Sequence, residues 1–268
     1  MRIAASLVML AACGGSPAAP DAEVGPDAHL TCARWTAATI NIVPGASTAA
    51  KEASPTIAGD HGLIAFAASP TATSELYTVD YFAGARQATR IDALDDGTPQ
   101  TSPRWNSDGT RLYWSRSGVL VSATYRDGAF GAATAELGLD GETVATLGLS
   151  TSETELFYGD NADPTLSQLH YATRPAIGAA WTAKGALAVL NMGGDSAPTL
   201  THDQFTLYWE SHRGGHGKLY TAVRQHIGDP WAQVEIFDQL AGADGDPDDS
   251  SHDTVFAYTA NDDIYVAT

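Results

Sequence analysis

The densest run of potential metal ligands is Asp244-Gly245-Asp246-Pro247-Asp248-Asp249. Alternate carboxylates in a glycine-containing loop offer the hard oxygen donors that calcium prefers, so Asp244, Asp246 and Asp248 form a candidate calcium site. The twelfth residue from Asp244 is Val255, so the run is not an EF-hand loop. His212 and His216 stand four apart in HRGGHGK. On a helix that spacing would put two imidazoles on one metal, but the two glycines between them favour a hairpin turn. His61, His202 and His252 recur near another turn, where polar side chains satisfy the backbone. HExxH, GxSxG, a Gly-rich phosphate loop and CxxC do not occur in the sequence. On that ground the chain is expected not to be an enzyme and to have no catalytic residues, and no cofactor apart from the calcium just considered.

The elements that must position these residues follow from an internal repeat. One apolar trio recurs as Ile64-Ala65-Phe66, Leu112-Tyr113-Trp114, Leu156-Phe157-Tyr158, Leu207-Tyr208-Trp209 and Phe256-Ala257-Tyr258. Nine residues before each trio stand Pro55, Pro103, Leu147, Pro198 and Pro247. A second pair follows each trio: Leu76-Tyr77, Leu120-Val121, Leu169-His170, Leu219-Tyr220 and Ile264-Tyr265. An aromatic then leads a further strand at Trp35, Phe82, Phe130, Trp181 and Trp231. Four short strands in about 47 residues, bounded by turn residues, make one β-propeller blade. The fold class is therefore all-β, a propeller of five four-stranded blades. Trp35 to Val43 has no blade before it, and Ile264 to Ala267 has no outer strand after it. The N-terminal strand is expected to complete the C-terminal blade, so that the ring keeps no open edge and the chain is a monomer.

That topology sorts the loops onto two faces. Loops between blades and loops joining second to third strands share one face, which receives Asp95, Asp96, Asp140, Glu142, Asp160, Asp163, Asp195, Asp244, Asp246 and Asp262. Loops after the third strand carry Arg126, Arg174 and Arg224 to the other. A face of one charge sign steers a partner of the other sign, so the acidic face is a candidate binding surface for a basic protein or peptide. The innermost strands bring Thr56, Arg104, Gly148, Thr199 and Asp248 toward the axis. That is a poor carboxylate set for the alternative, a glycan-binding or glycan-active propeller, which needs an acid and a base facing each other. A further alternative is a calcium-stabilised structural surface protein. The net charge of −18 argues against nucleic acid and against electrostatic docking on anionic lipid.

The N-terminus reads MRIAASLVMLAAC. One positive charge, Arg2, precedes an apolar run too short to span a bilayer, the form of a signal peptide over residues 1–12. Leu10-Ala11-Ala12-Cys13 resembles the bacterial lipobox. That resemblance implies that Cys13 is lipidated and anchors the chain to a membrane, and Gly14 after it, where Asp would signal inner-membrane retention, points to the outer membrane. More than one acyl chain gives stable anchoring. Residues 13–33 are rich in Gly, Ser, Pro, Ala and Asp and read as a flexible tether, leaving the propeller to residues 34–268. Cys32 then has no intramolecular thiol partner.

The units SPRWNSDGTRLYWSRSGVLVSA (102–123) and APTLTHDQFTLYWESHRGGHGKLYTA (197–222) resemble TolB-type, WD-like propeller repeats. The resemblance covers residues 34 to 268 and implies a cell-envelope propeller. With the acidic face and the tether, it makes the expected function a lipid-anchored binding or scaffold module.

Overall fold

The computed structural model describes residues 40–43, 46, 50–58, 62–70, 73–81, 87–238, 245–249 and 255–267. Strand β1 (Ile40–Ile42) belongs to the last blade. Blade one is β2 (Lys51–Ile57), β3 (Leu63–Ser69), β4 (Glu75–Asp80) and β5 (Thr89–Arg90). Blade two is β6 (Gln100–Trp105), β7 (Arg111–Arg116) and β8 (Val119–Arg126), with the short strands β9 (Ala129–Phe130) and β10 (Thr134–Ala135) both on β8. Blade three is β11 (Thr146–Leu149), β12 (Glu155–Gly159), β13 (Leu169–Thr173) and β14 (Thr182–Ala186). Blade four is β15 (Asp195–Leu200), β16 (Thr206–Ser211), β17 (Lys218–Val223) and β18 (Ala232–Ile236). Blade five is β19 (Gly245–Asp249), β20 (Phe256–Ala260) and β21 (Asp263–Ala267), closed by β1. β1 pairs antiparallel with β21, Ile40 opposite Ala267 and Ile42 opposite Tyr265, so the ring shuts as the repeat predicts.

The apolar trios explain why the blades stack. Side chains alternate across a strand, and both faces of a second strand are buried, so the run is continuously apolar rather than alternating. Leu112 and Trp114 pack with Ala65, Ala67 and Leu76 of blade one, while Tyr113 between them packs with Leu147, Leu156 and Tyr158 of blade three. Leu207 and Trp209 likewise face blade three and Tyr208 faces blade five. Phe256 and Tyr258 face blade four, and Ala257 joins Ile64 and Phe66 of blade one. Each fully buried aromatic contributes about 1.5–3 kcal/mol by transfer from water.

The prolines mark a second regularity. In β2, β6, β15 and β19 the register skips, so that two residues oppose one: Ser54-Pro55, Ser102-Pro103, Ala197-Pro198 and Asp246-Pro247. The residue before each proline has φ near +50° (53, 49, 48 and 47°). Proline has no N–H to give the ladder, and a bulge takes it out of register. Where Leu147 replaces proline, β11 pairs with β12 without interruption. These bulges bring Ser54, Ser102 and Asp246 to the axis, and the funnel described next is built on them.

Candidate functional site: an acidic funnel above a plugged axis

The five innermost strands do deliver Thr56, Arg104, Gly148, Thr199 and Asp248 to one level. Arg104 spans it. Its Nη1 pairs with Asp248 and donates to Thr199 Oγ1 at 3.2 Å, Nε donates to Leu147 O at 3.2 Å, and Nη2 to Pro247 O at 3.3 Å. Asp248 also accepts the Ile57 N–H at 2.8 Å, and Thr56 Oγ1 accepts the Trp105 N–H at 3.0 Å. Burial pushes the Arg104 guanidinium down to about 10, so it remains charged at neutral pH. A buried, fully bonded ion pair thus plugs the ring. Of the three carboxylates in the calcium expectation, Asp248 pairs with Arg104 and Asp246 accepts from Ser54, while Asp244 lies outside the described residues. Among the described residues no group of three or more His, Cys, Asp or Glu is placed to hold a metal ion.

Above the plug, on the face of the inter-blade loops, all five blades line a funnel of about 610 Å³. Its floor is the set of bulge residues. Asp246 accepts the Ser54 N–H and the Ser54 Oγ–H, each at 3.1 Å, and the Thr259 hydroxyl at 3.4 Å, while Ser54 Oγ lies 3.4 Å from Ser102 Oγ. Its wall carries Glu52, Glu210 and Asp262. Glu210 Oε1 is 2.8 Å from His212 Nε2. A Cβ built on Gly245 would lie 3.0 Å from Glu210 Oε2 and 3.3 Å from Thr259 Oγ1, so Glu210 reaches across to blade five at Gly245. The funnel thus presents carboxyl and hydroxyl groups from several blades to one polar cavity.

Sequence reasoning placed Asp246 and Asp262 on this face and missed Glu52 and Glu210. A signal for Glu210 existed: the residue after each trio is Ala67, Ser115, Gly159, Glu210 and Thr259, an acid where the other copies are small. Glu52 lies three residues before Pro55, where the other copies have Gln100, Val144, Asp195 and Asp244. His212 and His216 sit in a turn, as expected, with Gly215 N donating to His212 O. His216 and His202 are exposed, and His61 and His252 lie outside the described residues.

The rest of the acidic face is mostly occupied by its own turns. Asp95 accepts the Gly97 N–H at 2.9 Å and pairs with Arg90 at 3.4 Å. Asp96 accepts the Thr98 N–H and hydroxyl and pairs with Arg116 at 3.2 Å; the Thr98 hydroxyl bond holds its carboxyl below the usual range. Asp163 does the same for Thr165. Asp160 takes the Gln168 N–H and lies 3.1 Å from His170 Nε2, and Glu142 accepts the Tyr158 hydroxyl at 2.8 Å. Asp140 is exposed. Asp195 corrects the surface reading outright. It is buried and accepts hydrogen bonds from Met192 N, Gly193 N, Trp209 Nε1 and Arg213 Nη2. Of the three arginines expected on the opposite face, Arg126 alone is exposed. Arg174 is buried on Glu136 and Tyr113 with its guanidinium 4.2 Å over Trp181, and Arg224 makes a bidentate pair with Glu155 beneath Trp231.

Asp195 gives the fold a pH dependence. Burial raises its pKa, but bonds from Ser211, Arg213, Met192 N and Trp209 outweigh that and hold it below the ordinary value. A folded-state pKa below the unfolded one stabilises above the ordinary aspartate range, about 4, and that stabilisation is lost as pH falls through the depressed value. Denaturant midpoints followed from about pH 6 to about pH 2 should therefore fall more steeply for the natural chain than for Asp195→Asn.

No protein-family model matches the chain, and no curated protein matches its sequence. Solved structures do. TolB from Acinetobacter baumannii superposes with a TM-score of 0.52 at 13% identity, over 82% of this chain and 55% of that one, so the chain spans about half the length of that protein. The α-L-arabinofuranosidase of Podospora anserina in complex with cellotriose gives 0.61 at 13%, covering 87% and 97%. A gluconolactonase from Xanthomonas campestris gives 0.53 at 12%, covering 88% and 91%. At such identities the likeness is one of fold. It nevertheless overturns the expectation that the chain is not an enzyme: two of these three propellers are named for catalytic activities, so the want of a linear motif does not argue against catalysis on this scaffold. The chain is a five-bladed β-propeller with an acidic funnel at its axis.

Proposed function

We propose that the funnel is a carbohydrate site and that the chain is a glycan-binding, glycan-active propeller. One observation carries this: Glu210 and Asp246, from different blades, both line a polar cavity of about 610 Å³, large enough for a short oligosaccharide. Two carboxyl groups facing one sugar are the minimum equipment for glycoside cleavage, one protonating the leaving oxygen and the other activating water or forming the glycosyl bond. The hydroxyls of Ser54, Ser102 and Thr259 offer further hydrogen bonds to sugar hydroxyls. In the other reading, of the acidic face as a protein-docking surface, Asp95, Asp96 and Asp163 are held by their own loops, as Asp246 is held by Ser54 and Thr259.

The test is calorimetric binding and product release with a panel of oligosaccharides and aryl glycosides on the full chain. Binding is expected, and Glu210→Gln and Asp246→Asn should each lower turnover about 100-fold or more. If no saccharide binds, or if both variants behave like the natural chain, the glycan reading is wrong. Export and the lipid anchor belong to the same proposal and are supported by residues 1–13. Labelling with radioactive palmitate in a bacterial host should mark the natural chain and not Cys13→Ser; equal labelling of both would refute the anchor.

A further inference from the structure

Blades two and four build the same buried corner with different chemistry. In each, the third residue of the apolar trio is a tryptophan, Trp114 or Trp209, and the residue three places before the bulge proline is polar, Gln100 or Asp195. The registers agree: Gln100 stands opposite Arg116 and Asp195 opposite Ser211, each two residues past its tryptophan. An arginine lies over each indole, Arg116 at 5.4 Å from the Trp114 ring centroid and Arg213 at 5.6 Å from that of Trp209. In blade four one carboxylate oxygen satisfies both donors. Asp195 Oδ1 accepts from Trp209 Nε1 at 3.0 Å and from Arg213 Nη2 at 2.9 Å. Blade two has an amide in that place. Gln100 Nε2 donates to Leu94 O at 3.0 Å, and Arg116 Nη2 meets the same oxygen at 3.4 Å. The shared carbonyl sets the amide and guanidinium heads side by side above the indole, and Leu94 itself packs in one cluster with Trp114. Three polar atoms are then left shut from solvent with no hydrogen-bond partner among the described residues: Trp114 Nε1, Arg116 Nε and Gln100 Oε1. Gln100 is 1% exposed and Trp114 fully buried.

The mix of groups selects the occupant. Leu94 O fixes the amide, because only its N–H side can approach a carbonyl, so the Gln100 oxygen faces the corner as an acceptor. Trp114 Nε1 and Arg116 Nε are donors only. An anion would lie against the lone pairs of Gln100, and a cation against two N–H groups. A molecule that accepts twice and donates once satisfies all three atoms, and a sealed corner admits the smallest such molecule. Leaving a buried donor or acceptor unmet is costly, so three together favour occupation.

We infer that blade two binds one internal water molecule here, accepting from Trp114 Nε1 and Arg116 Nε and donating to Gln100 Oε1. That water does for blade two what the Asp195 carboxylate does for blade four, and it ties the Leu94 loop leaving blade one to the first two strands of blade two. The experiment is a high-resolution crystal structure of the full chain, repeated on crystals grown in bromide. A single water peak is expected within about 2.7–3.2 Å of all three atoms, with no anomalous signal from bromide. Bromide at the corner would make it an anion site and overturn the water. So would an empty corner in which the Gln100 amide has turned its oxygen directly onto the indole. A solution measurement removes any dependence on the lattice. The Trp114 indole N–H, identified by its loss in Trp114→Phe, should show cross-relaxation with a long-lived water in the natural chain. Its absence there overturns the proposal even where the crystal shows a peak.

Discussion

Replacing Arg104 with Met lowers the unfolding free energy by about 3–5 kcal/mol, because it leaves Asp248 buried with no counter-charge. The guanidinium has four separate partners drawn from blades three, four and five, so its loss loosens the axis where those blades meet. The double variant Arg104→Met, Asp248→Leu should regain most of the loss, since an apolar pair of similar volume avoids two desolvation costs. The single variant also acquires a pH signature. Its orphaned carboxyl is held neutral in the folded state, so the folded pKa lies above the unfolded one. Stability is then retained at low pH and falls as pH rises from the unfolded value toward the folded one. Urea titrations of the three proteins at acid and neutral pH decide it. A single variant as stable as the natural chain at neutral pH would show that the plug does not hold the ring.

Gly148→Ala should cost about 3 kcal/mol by overpacking. An added Cβ would lie 2.2 Å from Pro198 O and 2.9 Å from Pro198 C, and both are backbone atoms of the neighbouring inner strand. No rotamer change relieves that contact, so β11 and β15 must separate. The axis narrows here because Gly148 is the one position among the five that presents no side chain, which leaves the space to Arg104. Gly214→Ala is the matched control, with nothing within 4 Å of its Cβ and no positive φ, and it should be neutral or slightly stabilising. Equal midpoints for the two variants in guanidinium would mean the inner strands are free to part.

The blade count, the order of strands and the closure of β1 onto β21 were legible in the residues, because each depends on a local pattern that repeats: a proline or leucine, a turn, a trio, a pair. Both-sided burial of the trio was legible for the same reason, since a second strand between two blades has no polar face to show. The two-piece edge of blade two was not, although Phe130 is one of the repeated aromatics. Phe130 stays on β9 opposite Tyr125 and stacks on Trp105, and the edge breaks after it before β10 resumes the pairing with β8.

The site itself was mostly a matter of tertiary structure. Reading loops as surface placed Asp195 in solvent and made Arg174 and Arg224 a cationic face. Each is in fact buried, with partners as distant as 14, 61 and 69 residues for Asp195, Arg174 and Arg224. Ser54 meets Asp246 across 192 residues, a contact that exists only once the ring has closed. The sequence by itself determined a five-bladed ring and the positions where bulges fall, because strand pairing and proline geometry are local. Tertiary structure decided that Glu210 and Asp246 would line one funnel while Asp248, two residues past Asp246 on the same strand, would be sealed beneath them. Side chains on a bulged strand take their direction from the neighbouring blades, and no repeat along the chain encodes which neighbour supplies the counter-charge.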